Sequence, residues 1–266
     1  MATKANPVMF IHGLWLHFTA WGAWEDMFSQ AGYDTSSPGW PGDQDTVEEA
    51  RANPESVANV GLDDIVGSYE SVIASLDAPP ILVGHSFGGL VVERLLGMNL
   101  GAGAIAIDAA QIKGVYILPL AELRSGFPVL KNPANKHRAV MLTPAEFRYG
   151  FGNAIPEEES DELWGQWAIP GPGRPLFEAA EANFEPHSPA KVDTHNPDRG
   201  PLLLVTGGED HTVPEAVTRS TLKHYDHSPA ITDFLEFPDR GHSLTIDSGW
   251  HEIAKASQDW LEKQGL

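Results

Sequence analysis

A chain of 266 residues suits one sizeable α/β domain, or one domain carrying an insertion, and buries enough surface to fold without a covalent staple. It has no cysteine, which removes disulfides, thiolate metal sites and a cysteine nucleophile and fits a reducing compartment. Acidic residues number 37 against 17 basic ones, a formal charge of −20, and a field of that sign repels phosphate backbones and anionic lipid surfaces. Neither nucleic acid nor a membrane is therefore expected as a partner. Met1 to Pro7 holds one lysine and no apolar run of signal-peptide length, and no stretch approaches the roughly 20 apolar residues of a membrane span. A soluble, cytoplasmic protein is the expectation.

Short apolar runs recur along the chain. Val8–Ile11 starts after Pro7 and stops before Gly13; Tyr33 to Ser36 is a weaker run. Ile81–Val83 follows Pro79–Pro80 and stops at Gly84. Ala104–Ile107 ends at Asp108, Leu202–Val205 ends near Gly207–Gly208, and Phe234–Phe237 is stopped by Pro238. Unbroken apolar runs of this length predict strands buried on both faces, as in a parallel sheet covered by helices. Between them, Leu62, Ile65, Val66, Tyr69, Val72, Ile73 and Leu76 recur at helical spacing. Helical patterns also follow Ser86, begin near Pro214, and run from Trp250 to Leu261. Strand alternating with helix predicts an α/β fold: a doubly wound, mostly parallel sheet of about six strands.

Gln111 to Pro201 breaks the alternation. It carries twelve prolines, no clear strand and the acidic run Glu157–Glu162; about ninety residues are too long for a plain loop. The pattern predicts an inserted helical cap over 111–201, with 1–110 and 202–266 forming the core. The acidic run reads as a solvated helix start, because acidic side chains favour the first helical turn.

Gly84-His85-Ser86-Phe87-Gly88 is a G-x-S-x-G between an apolar strand and a helical pattern, the setting that raises a serine on a strained turn. A serine hydroxyl needs a base, and the base an orienting carboxylate. Downstream, Asp210 follows Gly207–Gly208 after one strand, and His242 follows Gly241 after the next. Both fall at the carboxyl edge of the sheet, with Ser86. Glu209 and Asp108 are rival acids. Backbone N–H groups of Leu14, after His12–Gly13, and of Phe87, after the serine, are the candidate oxyanion donors.

These motifs, with Arg240-Gly241-His242-Ser243, together resemble the α/β-hydrolase superfamily over nearly all of the chain outside the cap. The resemblance implies Ser86 as nucleophile, His242 as general base and Asp210 as acid. It also implies two strands ahead of the His–Gly loop in most members; here about seven residues precede the first strand, so a minimal version of the sheet is expected.

No cofactor and no metal are expected. The aromatic residues at 15, 18, 21 and 24 are spaced by three, which fits core packing or an aromatic wall, and the cap is rich in aromatic residues. Trp15, His85, Trp164 and Trp167 are the candidate substrate contacts, for a small apolar or aromatic ester, lactone or amide. A carboxylate nucleophile of the dehalogenase or epoxide-hydrolase kind is disfavoured by Ser86. Hydroxynitrile lyase, cofactor-free oxygenase, perhydrolase-like and ligand-receptor readings share the fold.

Overall fold

The computed structural model describes residues 6–266; most of the Met1–Pro7 lead lies outside the described residues. Along the chain come β1 (Val8–Ile11), α1 (Gly22–Gln30), β2 (Thr35–Ser36), α2 (Val47–Ala52), α3 (Leu62–Ile73), β3 (Ile81–His85), α4 (Phe87–Gly97) and β4 (Gly103–Ile107). The segment leading to Pro201 adds α5 (Leu120–Leu130), β5 (Ala139–Val140), α6 (Pro144–Gly150), α7 (Glu157–Trp167), β6 (Gly171–Pro172) and α8 (Arg174–Glu181). The chain then returns through β7 (Leu202–Gly207), α9 (Glu215–His224), β8 (Thr232–Phe237) and α10 (Trp250–Gln264).

Six strands form one sheet in the order β2-β1-β3-β4-β7-β8, and every pairing in it is parallel. The doubly wound fold is therefore as expected. The four central strands are buried along their whole length, which is why they read as unbroken apolar runs. The edge strand β8 is only half-buried over most of its length. On one face of the sheet α3, α4 and α9 pack through Ile65, Leu90, Leu95 and Val217. On the other, α1 and α10 pack Trp24, Phe28, Ile253 and Leu261 against Phe10 and Val83. Phe10 stacks on Trp21 at 5.1 Å, and Trp21 meets Trp24 edge-on at 5.2 Å. Core packing thus accounts for Trp21 and Trp24.

Between β4 and β7 the elements are mostly helical, and the acidic run opens α7 after Pro156. The segment also contains two strands of two residues each, β5 and β6, paired antiparallel; strands so short carry no period to detect. No helix of the described residues is long and apolar enough to cross a membrane.

Strand order sets the place of the site. The chain leaves β1 for β2 on one side and then returns to β3 on the other. The carboxyl ends of β1 and β3 therefore face a crevice at the point where the winding reverses, the usual ligand position in open α/β sheets. His12–Gly13 and Ser86 are the first residues beyond those two ends.

Candidate active site

Ser86 joins β3 to α4 with φ 57° and ψ −121°, a conformation that costs an L-residue about 1–3 kcal/mol and is held by its surroundings. Those surroundings are visible. Ser86 N–H donates to Ile107 O (2.9 Å), and Ser86 O accepts from Ala110 N–H (2.9 Å). Gly88 faces the carbonyl oxygens of Ile11 and His12 so closely that a Cβ there would collide with backbone. The G-x-S-x-G glycines are thus required by strand–helix contact.

His242 follows β8 in a loop tied at both ends. Ser243 N–H donates to Phe151 O (3.1 Å), Ser243 Oγ donates to Asp247 Oδ2 (2.9 Å), and Arg240 pairs with Asp247. The imidazole is fully buried. Its Nδ1–H donates to Asp210 Oδ2 at 2.6 Å, because a carboxylate can only accept. The other oxygen, Asp210 Oδ1, accepts the N–H groups of Thr212 (2.6 Å) and Val213 (2.9 Å). That fixes the carboxylate on the tight turn after β7. His242 Nε2 is left with no hydrogen-bond partner, free to accept a proton. Phe151 of the inserted segment lies edge-on over this ring at 4.7 Å.

The rival acids are placed differently. Asp108 Oδ2 stands 4.0 Å from His242 Nδ1, while Asp108 Oδ1 accepts from Gly207 N–H at 2.8 Å. Burial and the neighbouring Asp210 hold the Asp108 carboxyl well above its usual range, and Asp210 is the carboxylate that accepts from the imidazole. Glu209 is exposed, whereas both Asp210 and the imidazole are buried.

The loop after β1 adjoins the serine. A methyl built on Gly13 would lie 3.3 Å from Ser86 Oγ. Leu14 is buried beside it, and Phe87 opens α4 immediately after Ser86. His12 is stacked on Trp40 at 4.6 Å and brings Nε2 within 2.9 Å of Asp43 Oδ2, out of line for a hydrogen bond.

A cavity of about 250 Å³ opens at Ser86 and Phe87, under α5 and α8. Trp15, at φ 67°, lines it, with its indole N–H donated to Val140 O (3.1 Å). Tyr116, Ile117, Leu118, Leu123 and Phe184 line its mouth and are exposed to solvent. They make up most of the exposed large apolar side chains among the described residues. Glu122, on α5, also lines the cavity; burial and, secondarily, Asp210 push its carboxyl up to about 8.

Three expected substrate contacts lie elsewhere. His85 is buried behind Ser86, and its Nε2–H donates to the backbone carbonyl of His242 at 2.9 Å; burial pushes its pKa well down, so it is a neutral donor. Trp164 spends its indole N–H on Leu142 O (2.9 Å) under Arg51. Trp167 packs where its carbonyl accepts from His17 N–H (3.0 Å). Neither tryptophan reaches the cavity lining, because aromatic spacing on a helix does not distinguish a core face from a ligand face. Glu122 and Phe151, in turn, belong to no motif; only tertiary packing brings them to the site.

His85, Asp108 and His242 bring potential ligand atoms within 4.8 Å of one another. His85 Nε2 and His242 Nδ1 already act as donors to chain oxygens, and Asp108 Oδ1 accepts from Gly207 N–H, a poor cage for a cation.

A search of curated protein sequences finds no match to the chain. Solved structures match it closely in shape and weakly in sequence. The monoacylglycerol lipase of Paleococcus ferrophilus superposes with TM-score 0.66 at 20% identity, over 99% of this chain and 96% of that one. A pyrethroid hydrolase from Sphingobium faniae gives 0.65 at 18% identity, over 97% of each chain. The protein described as a non-heme bromoperoxidase, BpoC, from Mycobacterium tuberculosis gives 0.69 at 17%, over 98% of this chain and 94% of that one. Such identities carry the fold alone. The sequence model of the alpha/beta hydrolase family, however, matches residues 8–256, and on that match the chain belongs to the α/β-hydrolase family.

Proposed function

We propose that the protein is a serine hydrolase that cleaves a carboxylic ester of a small, largely apolar substrate through an acyl-enzyme on Ser86. The observation that carries this reading is the buried Asp210–His242 pair, whose remaining Nε2 is unpartnered at the sheet edge where Ser86 sits on its strained turn.

Ser86 Oγ attacks the ester carbonyl carbon while His242 Nε2 takes its proton, and Asp210 steadies the imidazolium. The oxyanion of the tetrahedral intermediate accepts from the N–H groups of Leu14 and Phe87. One such donor is worth about 10²–10³ in turnover. The C–O bond to the alcohol breaks as His242 returns the proton to the departing oxygen. A water then repeats the sequence on the acyl-enzyme, releasing the carboxylic acid and regenerating Ser86.

The segment 111–201 acts as a cap that sets specificity, with the core of 1–110 and 202–266 supplying the chemistry. Its apolar mouth favours an apolar part of the substrate, and Trp15 forms a wall beside the serine. Of the expected small-molecule contacts, Trp15 keeps its role in this reading.

A fluorophosphonate probe tests the mechanism. Rapid, single-site labelling at Ser86, lost in Ser86→Ala, is expected, together with turnover of p-nitrophenyl esters that falls by several orders of magnitude in the same variant. Silence towards the probe, or a Ser86→Ala enzyme that keeps most of its esterase rate, overturns it.

A further inference from the structure

The polar atoms of the cavity wall are nearly all spoken for. Trp15 donates to Val140 O. Thr212 Oγ1 donates to Gly150 O (2.9 Å) and accepts from Ser125 Oγ (2.8 Å). Asn183 accepts from Gly114 N–H (2.7 Å) and donates to Val115 O (2.6 Å). Ser86 is the nucleophile, and Tyr116 stands out in solvent. Two wall residues remain. Glu122 keeps Oε2 buried with no donor, and Gln111, just beyond β4, keeps the Oε1 end of its amide buried with no partner.

A buried acceptor without a donor costs about 1–3 kcal/mol. Such groups are few in folded proteins and ask for a reason. Ionising Glu122 carries a further cost, because Asp210 lies near enough to act on it. A leucine would suit the apolar wall better if packing were the only demand. Gln111 Oε1 only accepts, and Glu122 Oε2 accepts unless it carries the carboxyl proton, so the partner both atoms can share is a donor, and it must arrive with whatever fills the cavity.

We infer that Glu122, with Gln111 beside the cavity, is the polar anchor for substrate, and that the preferred ester carries a hydrogen-bond donor, a hydroxyl or an ammonium group, on an otherwise apolar body. This rests on the hydrolase reading above and deepens it. A hydroxyl both donates to one carboxyl oxygen and accepts from the other when that carboxyl is protonated, which its pKa of about 8 provides at neutral pH. An ammonium group instead needs the carboxylate and draws the proton off. Glu122 is thus a specificity residue; it takes no part in the acyl transfer.

Paired esters read the anchor. p-Nitrophenyl hexanoate is compared with its 6-hydroxy and 6-amino forms for a donor on the acyl side, and butyl with 4-hydroxybutyl hexanoate for one on the alcohol side. In the native enzyme at least one donor-bearing ester is expected to exceed its plain partner in kcat/KM by about tenfold or more. Which arm responds identifies the donor and its side. Glu122→Leu is expected to bring that ratio close to one, and Glu122→Gln, which retains an acceptor, to keep part of it. Ratios within about threefold of one throughout the native enzyme, or a preference that survives in Glu122→Leu, overturn the assignment. The ratio is internal to each variant, so a partly unfolded preparation does not alter it. NMR titration of the unreacted protein with hexan-1-ol and hexane-1,6-diol makes the same comparison without turnover. Failure of fluorophosphonate labelling with a retained diol preference would sink the esterase reading and leave the anchor standing.

Discussion

His242 Nδ1 lies 2.6 Å from Asp210 Oδ2 and 4.0 Å from Asp108 Oδ2. Two buried carboxyls thus flank one imidazole, and only one makes the hydrogen bond. Burial and the first push the pKa of the other well up. Asp210→Asn leaves an amide that cannot orient the imidazole tautomer, and turnover is expected to fall on the scale of the ~10⁴ seen when a triad acid is lost. Asp108→Asn keeps the shape and an oxygen for Gly207 N–H, and Glu209→Gln changes an exposed side chain. Each is expected to cost less than about tenfold, under ~1.4 kcal/mol of barrier. Steady-state kinetics on the three variants, with circular dichroism to check folding, separates them. A crippled Asp108→Asn beside a working Asp210→Asn would move the acid to the end of β4.

Gly13 offers a steric test of the oxyanion loop. A methyl there would sit 2.6 Å from Ser86 Cβ and 2.8 Å from His85 O, inside any normal contact distance. Either the β1 loop or the serine turn must retreat. Leu14 N–H, the next amide, retreats with it, and the loss of one oxyanion donor costs about 10²–10³ in turnover. Gly13→Ala is therefore expected to lower kcat by at least about a hundredfold, with a smaller effect on KM, while the sheet still forms. A variant with native kcat would mean that the loop does not hold the oxyanion.

The parts of the molecule that are legible in the sequence share a physical cause. β1, β3, β4 and β7 are buried on both faces, so their composition had no freedom to hide them. Ser86 and Asp210 sit at turns whose glycines are demanded by backbone contact, and Gly241 before His242 faces the Asn153 and Ala154 side chains. The inserted segment is different. Its helices meet the site through Phe151, Glu122 and Leu123, single residues at unremarkable positions, and nothing local marks which face of α5 or α7 turns inward. Trp164 and Trp167 show the same ambiguity resolved the other way, towards packing. His85 stands next to Ser86 in the sequence, yet successive residues of a strand point to opposite faces, and its ring serves the backbone carbonyl of His242 instead.

Glu93 gives a prediction about stability. It is buried on α4, accepts from Tyr225 Oη at 2.6 Å and has one oxygen without a partner. Arg199, stacked 4.9 Å from the Tyr225 ring centroid, is the nearby cation. Burial raises the carboxyl to about 7 despite the help of Tyr225 and Arg199. Between about pH 4.5 and 7 the folded state keeps a proton that the unfolded chain has released, so this stabilisation, complete below that window, is lost as pH rises through it. The full loss is on the order of 3 kcal/mol. Glu93→Gln keeps the acceptor for Tyr225 and removes the titration. Urea unfolding at pH 5 and pH 8 is expected to show a smaller decline in the variant than in the native protein; equal declines would refute the assignment. Glu122 and Asp108 titrate in both proteins and cancel in the comparison.

The mouth of the cavity gives the last prediction, because it separates specificity from chemistry. Leu123, on α5, is 40% exposed, Phe184, just past α8, is 90% exposed, and both line the cavity entrance. Apolar area so open to water contributes little to folding. It gains its value when a substrate chain covers it, at about 25 cal/mol per Å² removed from water. A short acyl group ends before it reaches the mouth, whereas a long one must lie across it. Leu123→Ser combined with Phe184→Ser is therefore expected to lower kcat/KM for p-nitrophenyl decanoate by about tenfold or more relative to p-nitrophenyl acetate. The melting temperature should shift little, since neither side chain is in the core. An unchanged ratio of decanoate to acetate would show that the substrate leaves the serine by another route, and the segment 111–201 would lose its part in selecting chain length.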